Sequence, residues 1–251
     1  MDSPVWVERE GAVAIVAVDR PRTRNAIDRE VHDALARALD EAEADEAVRA
    51  LVVTGGGGTF VSGGDLGLIR DTPFEETLAL CDRMTSLLDR FEQSPLPIVA
   101  AVEGSALGGG AELMIACDYR VAAPSSRISF RQAAMGVSTG WGATLRLSRV
   151  VPRGMASRLL LAAEMLDGPA AQRLGLVDEV ADAPRARAIE LGARFATYPR
   201  DVVAGLKRAI HAAYAEPPAA ARAVERDVFA SLWGGPAHRA ALEAFFHRND
   251  R

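Results

Sequence analysis

The sequence predicts an α/β fold, on three observations. Short β-branched runs alternate with helix-length amphipathic stretches through the first half; glycine turns join some of them; and from Pro152 onward the chain becomes Ala-, Leu- and Arg-rich, cut by prolines. Alternation of this kind implies a core of repeated ββα-like units. The proline-punctuated remainder implies several helices. A length of 251 residues is enough for one large core, and 49% hydrophobic with 25% charged residues is an ordinary balance for a globular chain.

Taken in order, residues 5–7 and 12–18 flank Glu10-Gly11 and read as a hairpin of β-branched runs around a glycine turn. Asp28 is placed to accept from the free N–H groups of a helix running to about Ala44. Residues 50–54 form a buried strand that enters the glycine loop 55–58. Leu80, Met84, Leu87, Leu88 and Phe91 recur at helical spacing until Pro95 and Pro97 break the pattern. Residues 98–102 are the next parallel strand, followed directly by a glycine-opened helix and then by a third short strand over 118–123. Gly168-Pro169, Pro184, Pro199, Pro217-Pro218 and Gly234-Gly235-Pro236 divide the rest into helices. Residues 1–198 are therefore expected to form the core and residues 199–251 a C-terminal helical subdomain.

The chemistry concentrates in the glycine-opened helix. Gly108-Gly109-Gly110 precede Ala111-Glu112-Leu113, so unpaired N–H groups at a helix start lie one turn from a carboxylate. A second glycine turn, Ser62-Gly63-Gly64-Asp65-Leu66, lies upstream. One backbone donor from each loop would make an oxyanion hole for a carbonyl that becomes an enolate, and Glu112 would move the proton. The apolar neighbours of Glu112 imply burial, which raises a carboxyl pKa into the range useful for proton transfer. Asp65 reads as the cap of the short helix after it.

Other classes are disfavoured. Cys81 and Cys117 lack metal-ligand spacing and read as core residues; His32, His211, His238 and His247 lack triad or ligand spacing and read as surface residues. No basic stretch precedes an apolar run at the N-terminus, and charges interrupt every long apolar segment, so neither a signal nor a membrane span is expected. A net charge of −5 argues against nucleic acid, and the two unpaired cysteines fit a reducing, cytoplasmic compartment.

The two glycine segments resemble those of the crotonase (enoyl-CoA hydratase/isomerase) superfamily. The resemblance extends to Arg20-Pro21 through Asn25-Ala26-Ile27 and to Gly175-Leu176-Val177-Asp178-Glu179-Val180, covering nearly the whole chain. The stretch Gly140-Trp141-Gly142 is nearest to the branch that includes ethylmalonyl-CoA decarboxylase. The resemblance implies a crotonase (ClpP-like) spiral of ββα units and an acyl-CoA substrate. It implies Gly64 and Gly109 as oxyanion donors and Glu112 as the first of the two glutamates used by hydratases. It also implies coenzyme A as part of the substrate, with no tightly bound cofactor, and a homotrimer or hexamer assembled through the C-terminal helices. Arg22 and Arg24 by place, and Arg248 within Ala244-Phe245-Phe246-His247-Arg248, are candidates for the CoA phosphates.

The second glutamate is missing. Gln132, or Ala134 with the gap shifted, stands at its position, and no Asp, Glu, His or Cys occurs between Asp118 and Glu164. Gln132 can orient a water through its amide but cannot exchange a proton. Trp141 either lines the acyl pocket or packs the helix that follows. Enoyl-CoA hydratase-like chemistry is the leading expectation. Decarboxylation of a methylmalonyl- or ethylmalonyl-type thioester, or double-bond isomerisation, would use the same enolate with fewer acids. A non-catalytic binding protein on the same fold is the alternative of a different class.

Overall fold

The computed structural model describes residues 3–70 and 72–249, with side chains as far as 244. β1 (Val5–Glu10) and β2 (Val13–Val18) pair antiparallel about Gly11, whose φ of +59° suits glycine. α1 (Arg29–Ala44) begins where Asp28 accepts from Val31 N. β3 (Ala50–Gly55), α2 (Leu66–Ile69), α3 (Phe74–Gln93) and β4 (Ile98–Val102) follow, then β5 (Ser105–Leu107) and α4 (Gly109–Ile115). β6 (Tyr119–Ala122), β7 (Arg127–Ser129), α5 (Ala143–Val150), α6 (Arg153–Leu161), α7 (Gly168–Arg173), β8 (Glu179–Val180) and α8 (Pro184–Phe195) complete the core. The C-terminal helices are α9 (Arg200–Ala215), α10 (Pro218–Leu232) and α11 (Pro236–Asn249).

The large sheet has the order β1-β2-β3-β4-β6-β8, parallel except for β1. Its central strands are buried on both faces, which is why they read as unbroken apolar runs. Leu51, Val53, Ile98 and Ala100 join Leu35, Phe91 and Met114 on one side. Val13, Ile15, Val52, Val99 and Val121 meet Ala188 and Leu191 of α8 on the other.

A small second sheet is what positions the site. β5 pairs with β7, Val61 bridges to Ala106, and Leu166 bridges to Ile128. The chain passes from β4 to β5 at Gly104, where a Cβ would stand 2.1 Å from Gly58 O, so only glycine allows this crossing. The helix expected directly after β4 is therefore delayed by a three-residue strand. β5 was not read from sequence because three residues carry no periodicity, and its stability comes from Val61 and β7, both distant in the chain. His32, expected at the surface, is 9% exposed on the core-facing side of α1, beside Val31 and Leu35.

Pro199 sits immediately before α9, at the expected start of the tail. α9 packs on α10 and is pinned to the core by Lys207, whose Nζ donates to Phe91 O at 2.9 Å and Leu96 O at 2.8 Å and pairs with Asp118 at 2.6 Å. Leu206, Phe229, Trp233 and Leu242 remain exposed on this tail. Among the described residues no helix is long and apolar enough to cross a membrane.

Candidate active site

Two glycine loops meet because each is tied to a third element. Val61 N donates to Ser105 O at 3.1 Å and Leu107 N returns to Val61 O at 3.0 Å, which lays residues 61–64 along β5. Ile27 N donates to Gly63 O at 2.8 Å and Asp65 N to Ile27 O at 2.9 Å, holding the far side. Asn25, fully buried at φ +59°, donates its amide to Gly56 O at 2.9 Å and Thr59 O at 2.6 Å and accepts from Arg20 N at 2.8 Å. Asparagine tolerates this left-handed conformation better than most residues, which gives a physical reason for the Asn-Ala turn. Arg20 reaches both Asp28, at 2.9 Å, and Asp65, at 3.3 Å. Asp65 caps α2 as expected, accepting from Gly67 N and Leu68 N.

The close approach depends on missing Cβ atoms. A Cβ on Gly63 would lie 3.2 Å from Gly109 N, and one on Gly110 only 1.9 Å from Val61 O. Gly64 and Gly109 are thus brought to one place from different loops, and neither N–H donates to a protein group among the described hydrogen bonds. Two such donors are free to bind an oxyanion.

Glu112, on the first turn of α4, is 1% exposed. Trp141 N and Ala143 N both donate to its Oε1, each at 3.2 Å. Burial pushes its pKa up to about 6, against the pull of those N–H groups, the charge of Arg146 and a hydrogen bond from Gln132. A carboxyl titrating there exists in both protonation states near neutral pH, as a proton-transfer group requires.

Gln132 is half-buried beside Glu112, and its Oε1 is buried without a partner among the described residues. Trp141 is 6% exposed and its ring lies against both glycines: a Cβ on Gly109 would fall 2.2 Å from it, and one on Gly64 would lie 3.7 Å from it. Cys81 is partly buried at the edge of the core and packs against it. A Cβ on Gly140 would lie 3.2 Å from its Sγ, it hydrogen-bonds to Trp141, and burial raises its pKa. Cys117 is a core residue, with burial pushing its pKa up to about 12.

Arg22 and Arg24 are exposed and make no hydrogen bond or ion pair through their guanidinium groups among the described contacts. Their turn runs beside the glycine loop: Ser62 N donates to Arg24 O and Ser62 Oγ to Thr23 O, each at 3.2 Å. The backbone of this turn therefore adjoins the loop that carries Gly63 and Gly64. The side chain of Arg248 lies outside the described residues. Sequence reasoning missed Arg146 altogether. This residue is 3% exposed, with Nη1 on Trp141 O at 2.6 Å, Nε on Glu92 at 2.9 Å and Nη2 on Asp89. The available signal was an arginine between Leu145 and Leu147, with two acids at i, i+3 spacing on a helix far upstream.

A model of the family described as enoyl-CoA hydratase/isomerase matches residues 8–250. The ethylmalonyl-CoA decarboxylase of Gallus gallus is 33% identical over 241 residues, 94% of this chain and 81% of its own. The short-chain-enoyl-CoA hydratase of Clostridium acetobutylicum is 34% identical over 168 residues, 66% of this chain and 64% of its own. Among solved structures, an enoyl-CoA hydratase from Polaromonas sp. JS666 superposes with a TM-score of 0.91 at 30% identity, over 97% of both chains.

Proposed function

Because the chain belongs to the enoyl-CoA hydratase/isomerase family, we propose that it binds an acyl-CoA thioester with its carbonyl oxygen between Gly64 N–H and Gly109 N–H. The observation that carries this reading is the convergence of those two free donors with a buried carboxyl of raised pKa. Negative charge that builds on the oxygen during enolate formation strengthens both bonds, and removing one such donor costs about 10²–10³ in rate. Glu112 then moves the proton at the thioester α-carbon.

The family chemistry is enoyl-CoA hydratase-like. In hydration, a water held by Gln132 Oε1 adds to C3 while the electron pair of the double bond enters the enolate; Glu112 takes one proton from that water and then delivers a proton to the α-carbon as the enolate collapses. A second reading, decarboxylation, is supported by the absence of any Asp, Glu, His or Cys over residues 119–163 and by relatives of that name that span 94% of this chain. There the bond to the carboxylate breaks, CO₂ leaves, its electrons form the same enolate, and protonated Glu112 delivers one proton. Isomerisation needs only removal of a proton at C2 and its return at C4.

Coenzyme A enters as part of the substrate, with Arg22, Arg24 and Arg248 for its phosphates and no tightly bound cofactor. The exposed Leu206, Phe229, Trp233 and Leu242 of the helical subdomain supply the apolar surface for a homotrimer or hexamer. The expected setting is cytoplasmic. A panel of crotonyl-CoA, a 3-enoyl-CoA and ethylmalonyl-CoA tests the reading, with each product followed separately. Conversion of at least one thioester supports it, and conversion of none overturns it.

A further inference from the structure

We infer that Arg146 is a positioning residue that holds the Glu112 carboxylate in its reactive orientation by gripping the peptide between the two that donate to it. Glu112 Oε1 accepts from Trp141 N and Ala143 N, which belong to the peptide planes 140–141 and 142–143. The plane between them carries Trp141 O, and Arg146 Nη1 donates to that oxygen at 2.6 Å. Fixing the middle plane restrains both flanking planes, which join it at Trp141 and Gly142 and carry the two N–H groups. The guanidinium is itself immobile: Nε pairs with Glu92 at 2.9 Å, Nη2 with Asp89, both on α3, and the side chain is 3% exposed. Gly142, at φ +90°, leaves room for it, since a Cβ there would stand 2.5 Å from Arg146 Nη1. Removing the arginine leaves the largely buried Glu92 carboxylate without its cation. A lysine keeps the charge but not the planar fork that reaches three acceptors.

The described groups facing Glu112 are Arg146 from α5, the Cys81 thiol from α3, and the Gln132 amide, with Asp89 and Glu92 standing behind Arg146. Loss of the arginine therefore removes the one cation of this set and loosens two N–H bonds, and both changes favour the protonated carboxyl.

The inference rests on the reading of Glu112 as the proton-transfer group, so its test includes a measurement that needs no substrate. Arg146→Lys and Arg146→Met are compared with the wild type in the full chain, after circular dichroism has checked folding. The Glu112 carboxyl is titrated by infrared difference spectroscopy against the matching Glu112→Gln protein. In Arg146→Met the midpoint is expected to move upward by a pH unit or more, with kcat on the best panel substrate down about 10²-fold and KM within about threefold. In Arg146→Lys the midpoint is expected to move less, with kcat down about tenfold. If Arg146→Met does not fold, Arg146→Lys decides alone. A folded variant that keeps both the wild-type carboxyl midpoint and wild-type kcat overturns the inference. Absence of turnover on every thioester would sink the proposed function instead, while the carboxyl titration still tests the clamp.

Discussion

On the side of the site formed by β5, residues 61–64 and the first turn of α4, the polar groups without partners among the described residues are backbone N–H donors held by strand pairing and by glycines. On the side formed by residues 139–146, the groups are a carboxylate's two loop donors, an indole and a buried arginine held by acids of another helix. The first wall is indifferent to side chains except where a Cβ would intrude. The second depends on particular side chains at almost every point. On the proposed function, one wall would serve any thioester enolate, whereas the other would select which protons move and what fits beside them.

The largest effect is expected where the two walls meet. Glu112→Gln removes the proposed proton-transfer group and should lower kcat by about 10²–10⁴, measured on whichever panel substrate is turned over. The same substitution should stabilise the fold at neutral pH. Burial raises the folded pKa of Glu112 from the ordinary 4.5 to about 6, so the folded protein binds the proton more tightly. That contribution is fully present below about 4.5 and is lost as pH rises through about 6, a swing of roughly 2 kcal/mol. Urea unfolding at pH 4 and pH 8 checks the sign: the variant should gain on the wild type only at the higher pH.

The next pair separates the walls. A Cβ on Gly110 meets the backbone oxygen of Val61 at 1.9 Å, whereas one on Gly109 meets the Trp141 ring at 2.2 Å. Gly110→Ala should therefore lower Tm more than Gly109→Ala, because backbone yields less than an indole. Gly109→Ala should cost about 10²–10³ in kcat through the crowded donor. Trp141→Ala should therefore cost less Tm in the Gly109→Ala background than it does alone, because it relieves the clash; strictly additive losses would mean that the two walls do not touch as described.

Trp141→Ala alone sharpens the claim that the second wall sets fit. It should destabilise by about 3–5 kcal/mol, as loss of a buried aromatic does. It should also shift kcat/KM toward longer acyl chains by about fourfold per added methylene, the value of roughly 0.8 kcal/mol for each. A parallel loss for all chain lengths would make the indole a packing element only. The smallest expected change is a gain: Gln132→Glu should raise crotonyl-CoA hydration severalfold by supplying a second carboxyl.

Legibility in the sequence followed the same division. The hairpin at Gly11, the Asp28 cap, the two-face-buried strands and the α3 periodicity are local signals, and each corresponds to an observed element. β5, β7 and β8 span three, three and two residues and exist through distant partners, so no local pattern marks them. Gly64, Gly109, Glu112 and Gln132 were readable from motif positions and do converge. Asn25's three-way staple and Arg146's grip were not, because their partners lie 31–34 and 54–57 residues away, apart from Arg20 N and the Trp141 carbonyl. His32 was misread because a polar residue on a core-facing helix position gives no composition signal.

Solvent-deuterium incorporation tests the central claim most directly, since the account requires one enolate and one proton carrier. With the panel substrate that turns over, product formed in D₂O by the wild type should carry a single deuterium at the thioester α-carbon in decarboxylation or hydration, or at C4 in isomerisation unless Glu112 returns the abstracted hydrogen. Under the same conditions Glu112→Gln should form product at less than about 1% of the wild-type rate. Wild-type-like rates and labelling in a folded Glu112→Gln protein would contradict the account.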